Sequence, residues 1–213
     1  MPRKPTTKPP NVADQPKLRP GDRIPRSFFA RATDTVARAL IGQHLVRRVE
    51  GQWIGGRIVE TEAYLPVGDL ASHSARGLTR SNASMFCGPG TLYVYPIHAK
   101  HCLNAVTESE GVGAAVLIRA MEPIWGIVAM QATRGQQDHR RLTRGPAMIC
   151  QALQIDRAQD GIDLCRDPDV RLLFSAEQRP TVRVTTRIGI NKARELPLRF
   201  VAAGSRYNSG RME

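Results

Sequence analysis

A β-hairpin predicted over residues 43–64 constrains the fold more than any other stretch of the sequence. Its two arms, QHLVRRV (43–49) and WIGGRIVETEAY (53–64), are rich in β-branched and aromatic residues, and Glu50-Gly51 lies between them as a turn. Two long strands joined by so short a turn must pair antiparallel. The remaining elements have to pack against this pair.

The other predicted elements mix helices and strands without a regular βαβ order. Helices are predicted over residues 33–42, 122–134 and 145–155. The first has Thr33 or Asp34 as N-cap, and the other two start near a proline. Strands are predicted over residues 91–97, 114–121, 181–190 and 198–204, and a polar loop over residues 65–90. We therefore predict an α+β fold: a compact single domain with a mainly antiparallel sheet and flanking helices.

The amino-terminal residues have a composition that does not favour a packed core. Residues 1–20 contain six prolines and five Lys or Arg residues, with little apolar surface to bury. We predict a disordered, basic, proline-rich tail over residues 1–22 and one domain over residues 23–213.

The charge balance indicates an anionic partner. The chain has 31 Lys and Arg residues against 19 Asp and Glu residues, a formal net charge of +12. Nucleic acid is the first choice of partner, before a membrane surface or an acidic protein. The alternative is a basic protein whose charge serves solubility alone.

Hydropathy and cysteine spacing predict a cytoplasmic location. The sequence has no apolar run long enough for a transmembrane helix and no apolar core of a secretory signal. The four cysteines show no C-x-x-C spacing, which favours reduced thiols over a disulfide framework or a zinc site.

The strand RIVETEAY (57–64) places two carboxylates where apolar residues would be expected. Side chains alternate along a strand, so Glu60, Glu62 and Tyr64 should share one face, with the two glutamate Cα atoms about 6.5–7 Å apart. Such a pair can act as acid and base across a water molecule, as in glycosidases. The alternative is a surface strand with two solvated acids. Flanking Ile58 and Tyr64 favour burial, and a buried carboxylate is a candidate general base.

Histidines offer weaker signals. His73 lies in DLASHSARG, but no G-x-S-x-G elbow accompanies it, so a hydrolase triad is not predicted. The HAKHC segment (98–102) lacks further ligands at suitable spacing, so no metal site is predicted.

Aromatic and basic residues suggest a nucleic-acid surface. Tyr93 and Tyr95 alternate on one strand face, either as core or as a stacking surface for bases. Arg119 ends an apolar strand, where we expect it half-buried beside an acid. A basic segment suited to phosphates, or alternatively a solvated loop, contains Arg134, Arg140, Arg141 and Arg144.

Several motifs together carry a resemblance to a known family. In chain order they are FFARATDTVARALIGQHLVRR, GRIVETEAY, ASHS, MFCGPGTLYVY, CLNAV, VLIRAMEP, GPAMICQALQI, TRIGI and PLRF. Over residues 27–207 the sequence resembles the alkyladenine (3-methyladenine, or N-methylpurine) DNA glycosylases of the mammalian type, which also occur in bacteria.

The resemblance implies a repair enzyme acting on double-stranded DNA that contains damaged purines. Such an enzyme inserts a β-hairpin into the minor groove, flips the purine out and hydrolyses its N-glycosidic bond, leaving an abasic site. It uses no metal, no cofactor and no covalent intermediate. The resemblance further implies a monomer with no membrane partner, located in the bacterial cytoplasm at the nucleoid.

Matched positions carry the catalytic roles of the family. By resemblance, Glu62 activates the attacking water, and Arg119 and the backbone carbonyl of Ile188 hold that water. Glu60 is then expected to be structural and paired with an arginine.

Matched positions also carry the base pocket. By resemblance, Tyr64 stacks on one face of the flipped base, His73 and Tyr95 on the other, and Asn104 lines the pocket. The backbone N–H of His73 contacts the base edge. An aromatic sandwich returns about 1–3 kcal/mol per base against the cost of unstacking.

Two positions depart from the family pattern. His98, predicted together with Tyr93 to contact the minor groove, occupies the place where most members have a wedging tyrosine, and its segment is one residue shorter. Met148 occupies a place where a lysine is common. Neither departure touches the implied catalytic centre.

Two alternative functions remain. One is a non-catalytic DNA-binding protein of the same fold, disabled by the change at His98. The other is a hydrolase of small glycosides in which Glu60 and Glu62 form an equal acid/base pair.

Overall fold

An antiparallel sheet of eight strands dominates residues 22–210, the part of the chain that the computed structural model describes. The tail predicted over residues 1–22 thus lies outside the described residues except for Asp22. The strands are β1 His44–Val49, β2 Gln52–Tyr64, β3 Leu92–Ile97, β4 Lys100–Thr107, β5 Ala114–Trp125, β6 Val170–Leu173, β7 Val182–Thr185 and β8 Arg199–Ala202. Six of them follow the order β3-β4-β5-β2-β1-β6, and β8 pairs with both β2 and β7.

Short helices cover the sheet. They are α1 Arg26–Phe29, α2 Thr33–Leu40, α3 Ile127–Arg134, α4 His139–Leu142 and α5 Pro146–Ala152. Helix α2 packs against β2 and β5, and α5 packs against β4 and β5, which encloses one apolar core. This arrangement confirms the predicted α+β class and the mainly antiparallel sheet. Between residues 22 and 210, no helix is long and apolar enough to cross a bilayer.

The predicted hairpin is confirmed and joins β1 to β2. Glu50 and Gly51 adopt φ values of 49° and 80°, both left-handed, and the pair Val49 and Gln52 closes the turn. Two left-handed residues in a two-residue loop match the right-handed twist of the flanking strands.

The helix predicted over residues 122–134 begins too early, and this prediction was wrong. Residues 122–125 continue β5, where Pro123 pairs with Gly56, and α3 starts only after Gly126 at φ 68°. A proline cannot donate a ladder hydrogen bond, but β2 is irregular at Gly56 and tolerates it. Pairing with β2 therefore outweighs the preference of proline for a first helical turn.

Other boundaries also differ from the predictions. Helix α2 has Ala32 as its N-cap, so neither Thr33 nor Asp34 caps it as predicted. The hydroxyl of Thr33 is instead hydrogen-bonded to Thr107 and Glu108. The helix predicted over 145–155 ends at Ala152, and the strand predicted over 181–190 is confined to β7. Strands β4 and β6 were not predicted.

Two adjacent glycines let β2 run between its neighbours. A Cβ atom on Gly56 would lie 1.9 Å from the backbone oxygen of Glu122 in β5, and one on Gly55 would lie 2.2 Å from that of Leu45 in β1. The register of β2 against β5 shifts between these two residues. The backbone of β2 thus lies so close to β1 and β5 that no side chain fits at Gly55 or Gly56. These close contacts position the strand that carries Glu60 and Glu62.

This close approach predicts a large difference between two glycine substitutions. Gly56→Ala should lower the free energy of unfolding by about 2–3 kcal/mol, because its methyl group overlaps backbone that cannot move freely. Gly88→Ala is the matched control, since its Cβ would lie 3.9 Å from the nearest atom, the Nη1 of Arg26. It should change stability by less than about 0.5 kcal/mol. Urea unfolding of both variants measures the difference, and equal losses would contradict the role assigned to Gly56.

Candidate active site

Two fully buried carboxylates from β2 face one arginine from β5. The side chains of Glu60 and Glu62 are 0% exposed. Arg119 donates from Nε to Oε1 of Glu60 at 3.0 Å and from Nη1 to Oε2 of Glu62 at 3.2 Å. The two glutamates therefore share one face of β2, as predicted, and Arg119 lies beside them as predicted.

Glu60 is saturated by donors from the protein. Its Oε1 accepts hydrogen bonds from Nε of Arg119, from Nε of Arg199 at 2.8 Å and from the hydroxyl of Ser209 at 2.8 Å. Its Oε2 accepts the backbone N–H of Ser209. With both oxygens occupied and two arginines in contact, Glu60 is a structural anion, as expected from the sequence.

Glu62 is also held on both oxygens, but its partners differ from those of Glu60. Its Oε1 accepts the backbone N–H of Ile188 at 2.9 Å, and its Oε2 accepts the hydroxyl of Tyr64 at 3.0 Å. Arg119 also donates to the carbonyl of Ile188 at 3.4 Å. Glu62, Arg119 and Ile188, which the sequence analysis grouped by resemblance, thus meet in one hydrogen-bonded cluster.

Tyr64 connects this cluster to a slot between aromatic rings. Burial and the neighbouring charge of Glu62 raise the pKa of Tyr64 well above its usual value. The phenol therefore stays protonated and can donate to Glu62 at all ordinary pH values.

The aromatic slot contains all four residues predicted for the base pocket. It is lined by Tyr64, His73, Met85, Tyr93, Tyr95 and Asn104. The rings of His73 and Tyr95 meet edge to face, with centroids 4.6 Å apart, and Asn104 donates to the backbone carbonyl of Tyr93 at 3.0 Å. The slot has a free volume of about 20 Å³, which is comparable to one water molecule. The rings must therefore separate to admit a ligand the size of a purine.

Two residues that line the slot, Tyr93 and Met85, were not among those predicted for the base pocket. Tyr93, predicted with His98 to contact the minor groove, lies instead in the slot, because its side chain is buried and its hydroxyl is hydrogen-bonded to Nδ1 of His73 at 2.8 Å. Met85 was not predicted. It lies in a single 3-10 turn, Ala83–Phe86, within a polar loop that has no periodic pattern to mark a buried residue.

The rings of the slot carry no charge at neutral pH. Burial and the adjacent guanidinium of Arg76 lower the pKa of His73 below 6.5. Burial raises the pKa of Tyr93 to about 12 and that of Tyr95 above its usual value. Neutral imidazole and phenol rings present π faces to a flat ligand without adding a cation.

Two open clefts adjoin the slot. One, of about 570 Å³, lies between residues 70–76 and residues 190–192. The other, of about 290 Å³, lies between residues 76–82 and the end of β3 at residues 95–97. His73 lines the slot and both clefts. The exposed cations Arg76 and Lys192 border the larger cleft.

His98 lies at the tip of the hairpin that joins β3 to β4. His98 and Ala99 adopt φ values of 44° and 59°, and Ile97 pairs with Lys100 to close the turn. Residues 96–100 are exposed, and His98 lies three residues beyond the slot residue Tyr95. The imidazole is therefore presented to solvent at the end of a strand that begins in the slot.

The four arginines predicted to contact phosphates have different surroundings. Arg134 donates to the backbone carbonyls of Leu142 and Arg141, and Arg144 donates to those of Asn208 and Gly210. Arg140 and Arg141 are exposed on α4. Phosphate contacts by all four arginines stay a prediction, and Arg144 in addition anchors the segment that brings Ser209 to Glu60.

Residues that could hold a metal ion do not converge in the described range. From residue 22 to residue 210, no group of three His, Cys, Asp or Glu side chains is placed to bind a metal. In the HAKHC segment, His98 is exposed at the hairpin tip, whereas Cys102 is buried in β4.

Comparison with known proteins gives a consistent result. Residues 27–206 match the family described as methylpurine-DNA glycosylase. Three similar proteins each bear the name "Putative 3-methyladenine DNA glycosylase". The one from Rhodopirellula baltica is 58% identical over 86% of this chain and 81% of its own length. The one from Methanoculleus marisnigri is 47% identical over 88% and 99%, and the one from Mesorhizobium japonicum is 44% identical over 88% and 90%.

The position of Arg76 predicts how the slot histidine titrates. Arg76→Gln should raise the pKa of His73, because it removes a cation that disfavours the imidazolium. Histidine NMR signals followed against pH measure this pKa. Arg80→Gln, which removes a nearby exposed arginine, should leave it unchanged. An unaltered His73 pKa in the Arg76→Gln protein would show that burial alone lowers it.

Proposed function

We propose the following function for this chain, which belongs to the methylpurine-DNA glycosylase family: it is a DNA repair enzyme that excises damaged purines from duplex DNA. The observation that carries the proposal is the junction between Glu62 and the aromatic slot. A buried carboxylate, oriented by donors from Tyr64, Arg119 and Ile188, lies directly beside a pocket of uncharged rings.

The slot is suited to a base that has left the duplex. A flipped purine would insert between Tyr64 on one side and His73 and Tyr95 on the other. Stacking returns about 1–3 kcal/mol per base, which offsets the few kcal/mol spent on unstacking. The empty slot is too narrow for a purine, so the rings must separate when the substrate binds. A small or weakly stacking base recovers little stacking energy in return for that separation.

The carboxylate cluster is suited to hydrolysis. Glu62 would accept a proton from a water molecule held by Arg119 and the carbonyl of Ile188. The water oxygen then bonds to the sugar C1′ as the bond from C1′ to the base nitrogen breaks, and the base keeps the electron pair. The positive charge that develops on the sugar is stabilised by the nearby carboxylate.

Binding to duplex DNA is supported by charge and shape. The chain carries a net charge of +12, and the larger of the two clefts beside the slot is bordered by Arg76 and Lys192. Phosphates bind such surfaces through counterion release. His98, at the exposed hairpin tip, would occupy the gap that the flipped base leaves.

One chain supplies the whole site, so we propose that the protein acts as a monomer at the bacterial nucleoid. Substrates would include 3-methyladenine, hypoxanthine and ethenoadenine. The equal acid/base pair of a small-glycoside hydrolase is disfavoured, because Glu60 is bonded to two arginines and Ser209, whereas Glu62 is the carboxylate bonded to the slot residue Tyr64. A non-catalytic DNA-binding protein is the outcome to be tested against.

The two glutamates should respond differently to substitution. Glu62→Gln should lower base release from alkylated duplex DNA at least about 100-fold, because it removes the general base, and it should destabilise the fold less than Glu60→Gln does, because Arg119 keeps its bond to Glu60. Glu60→Gln should lower the free energy of unfolding by about 3 kcal/mol, because it leaves two buried arginines short of a counter-charge. Release of free base and thermal unfolding measure the two effects.

Two results would contradict this proposal. If wild-type protein binds duplex DNA but releases no base from any alkylated or deaminated purine, the protein is not a glycosylase. If both variants lose base release equally with unchanged stability, the glutamates act as an equal pair.

The hairpin tip predicts a difference between duplex and single-stranded substrates. His98→Ala should lower duplex activity by about fivefold or more, since the lost stacking is worth about 1 kcal/mol or more. Activity on a single strand should be nearly unchanged, because no partner base is left behind. Ala99→Gly is the matched control, since it alters the same turn without removing a ring. Equal losses on both substrates would show that His98 does not fill the duplex.

A further inference from the structure

A second buried ion pair lies behind the slot and takes no part in the hydrolysis described above. Arg187 donates from Nη1 and Nη2 to the two carboxylate oxygens of Asp69 at 2.6 and 2.7 Å, and both side chains are 0% exposed. Such a bidentate pair has little freedom to reorient.

The guanidinium of Arg187 covers one face of the Tyr64 ring. Its central carbon lies 4.8 Å from the ring centroid. Tyr64 lines the slot, whereas Arg187 does not and is completely buried. The cation therefore lies against the face of the ring that is turned away from the slot.

Backbone bonds fix the pair in this place. Arg187 also donates to the carbonyls of Ala63 and Ala193, and Asp69 accepts the N–H groups of Leu65 and Ala71. Arg187 is bonded to Ala63, which precedes Tyr64 in the chain, and to Asp69, which follows it. These bonds hold the guanidinium against the ring.

This arrangement changes what the free face of Tyr64 can bind. An aromatic face attracts cations through its negative potential, with a gain of about 0.5–2 kcal/mol. A cation against one face of the ring weakens the negative potential at the other face. It also repels a second cation placed against that other face. Three charges shift the pKa of Tyr64: those of Glu62 and Arg119, which pair with each other, and that of Arg187, whereas the carboxylate of Asp69 is not among them.

We propose that Arg187, held by Asp69 behind Tyr64, is a specificity-determining residue that lowers the preference of the slot for cationic damaged purines relative to uncharged ones. This inference rests on the proposed function, since it assigns the charge class of base that the slot takes. Arg187 acts through Tyr64 and is a positioning residue rather than a catalytic one.

The test compares a cationic lesion with an uncharged lesion in the same duplex. The double variant Asp69→Asn with Arg187→Met removes both charges, and the asparagine oxygen can still accept one of the two loop N–H groups. The ratio of kcat/KM for 7-methylguanine to that for hypoxanthine should rise about three- to tenfold over the wild-type ratio. A merely structural role would lower both rates together and leave the ratio unchanged, which would overturn the proposal.

The chain offers a matched control for the substitution. Arg171 lies over the ring of Trp53, with its guanidinium carbon 4.6 Å from the ring centroid, on strand β6 at the sheet edge opposite to β3. Arg171→Met removes the same kind of contact far from the slot and should leave the ratio at its wild-type value. An equal rise in the Arg171→Met protein would show that the ratio does not depend on the position behind Tyr64, and would overturn the proposal.

A measurement on the wild-type protein covers the case in which the double variant does not fold. Free 9-methylhypoxanthine and its cationic relative 7,9-dimethylhypoxanthinium differ by one methyl group and one charge. As inhibitors of base release, the uncharged compound should bind at least as tightly as the cation. A preference for the cation above tenfold would overturn the proposal. Absence of base release from every lesion by the wild type would instead refute the proposed function itself.

Discussion

The buried cluster around Arg119 is the interaction on which the rest of the structure depends. Burying two carboxylates and two arginines is costly unless each charge is paired and each donor is satisfied. Here Arg119 comes from β5, Glu60 and Glu62 from β2, and Arg199 from β8. A shift of one residue between any two of these strands would turn a charge away from its partner. The cluster therefore specifies the register at the centre of the sheet.

The same cluster separates the roles of its two glutamates. Glu60 receives hydrogen bonds from Arg199 and Ser209, and the segment that carries Ser209 is held by Arg144. Glu62 is bonded to the slot residue Tyr64 and to the backbone of Ile188. Both carboxylates are buried, and of the two it is Glu62 that is bonded to a residue lining the slot. Close spacing along a strand thus yields two different environments, because the tertiary neighbours differ.

Predictions from local pattern succeeded where the local signal was strong. The hairpin of β1 and β2 followed from two β-rich runs around Glu50-Gly51, whose left-handed backbone suits such a turn. The signal failed at residues 122–125, where Pro123 resembles a helix start but pairs with the irregular part of β2. It also failed at Met85, because a single buried residue in a short 3-10 turn has no period to detect. The contacts that decide both cases come from residues distant in sequence.

The sequence by itself determined the class of fold, the family and four of the six residues that line the slot, because strand patterning and ordered motifs are local properties. It also placed Glu60, Glu62 and Tyr64 on one face, since alternation along a strand is a property of the backbone. Only the tertiary structure decided which glutamate is bonded to Arg199 and Ser209, that Tyr93 lies in the slot, and that Arg187 covers the back of Tyr64. These outcomes depend on burial and on partners from β8, the loop after β7 and the carboxyl-terminal segment, which no spacing along the chain can specify.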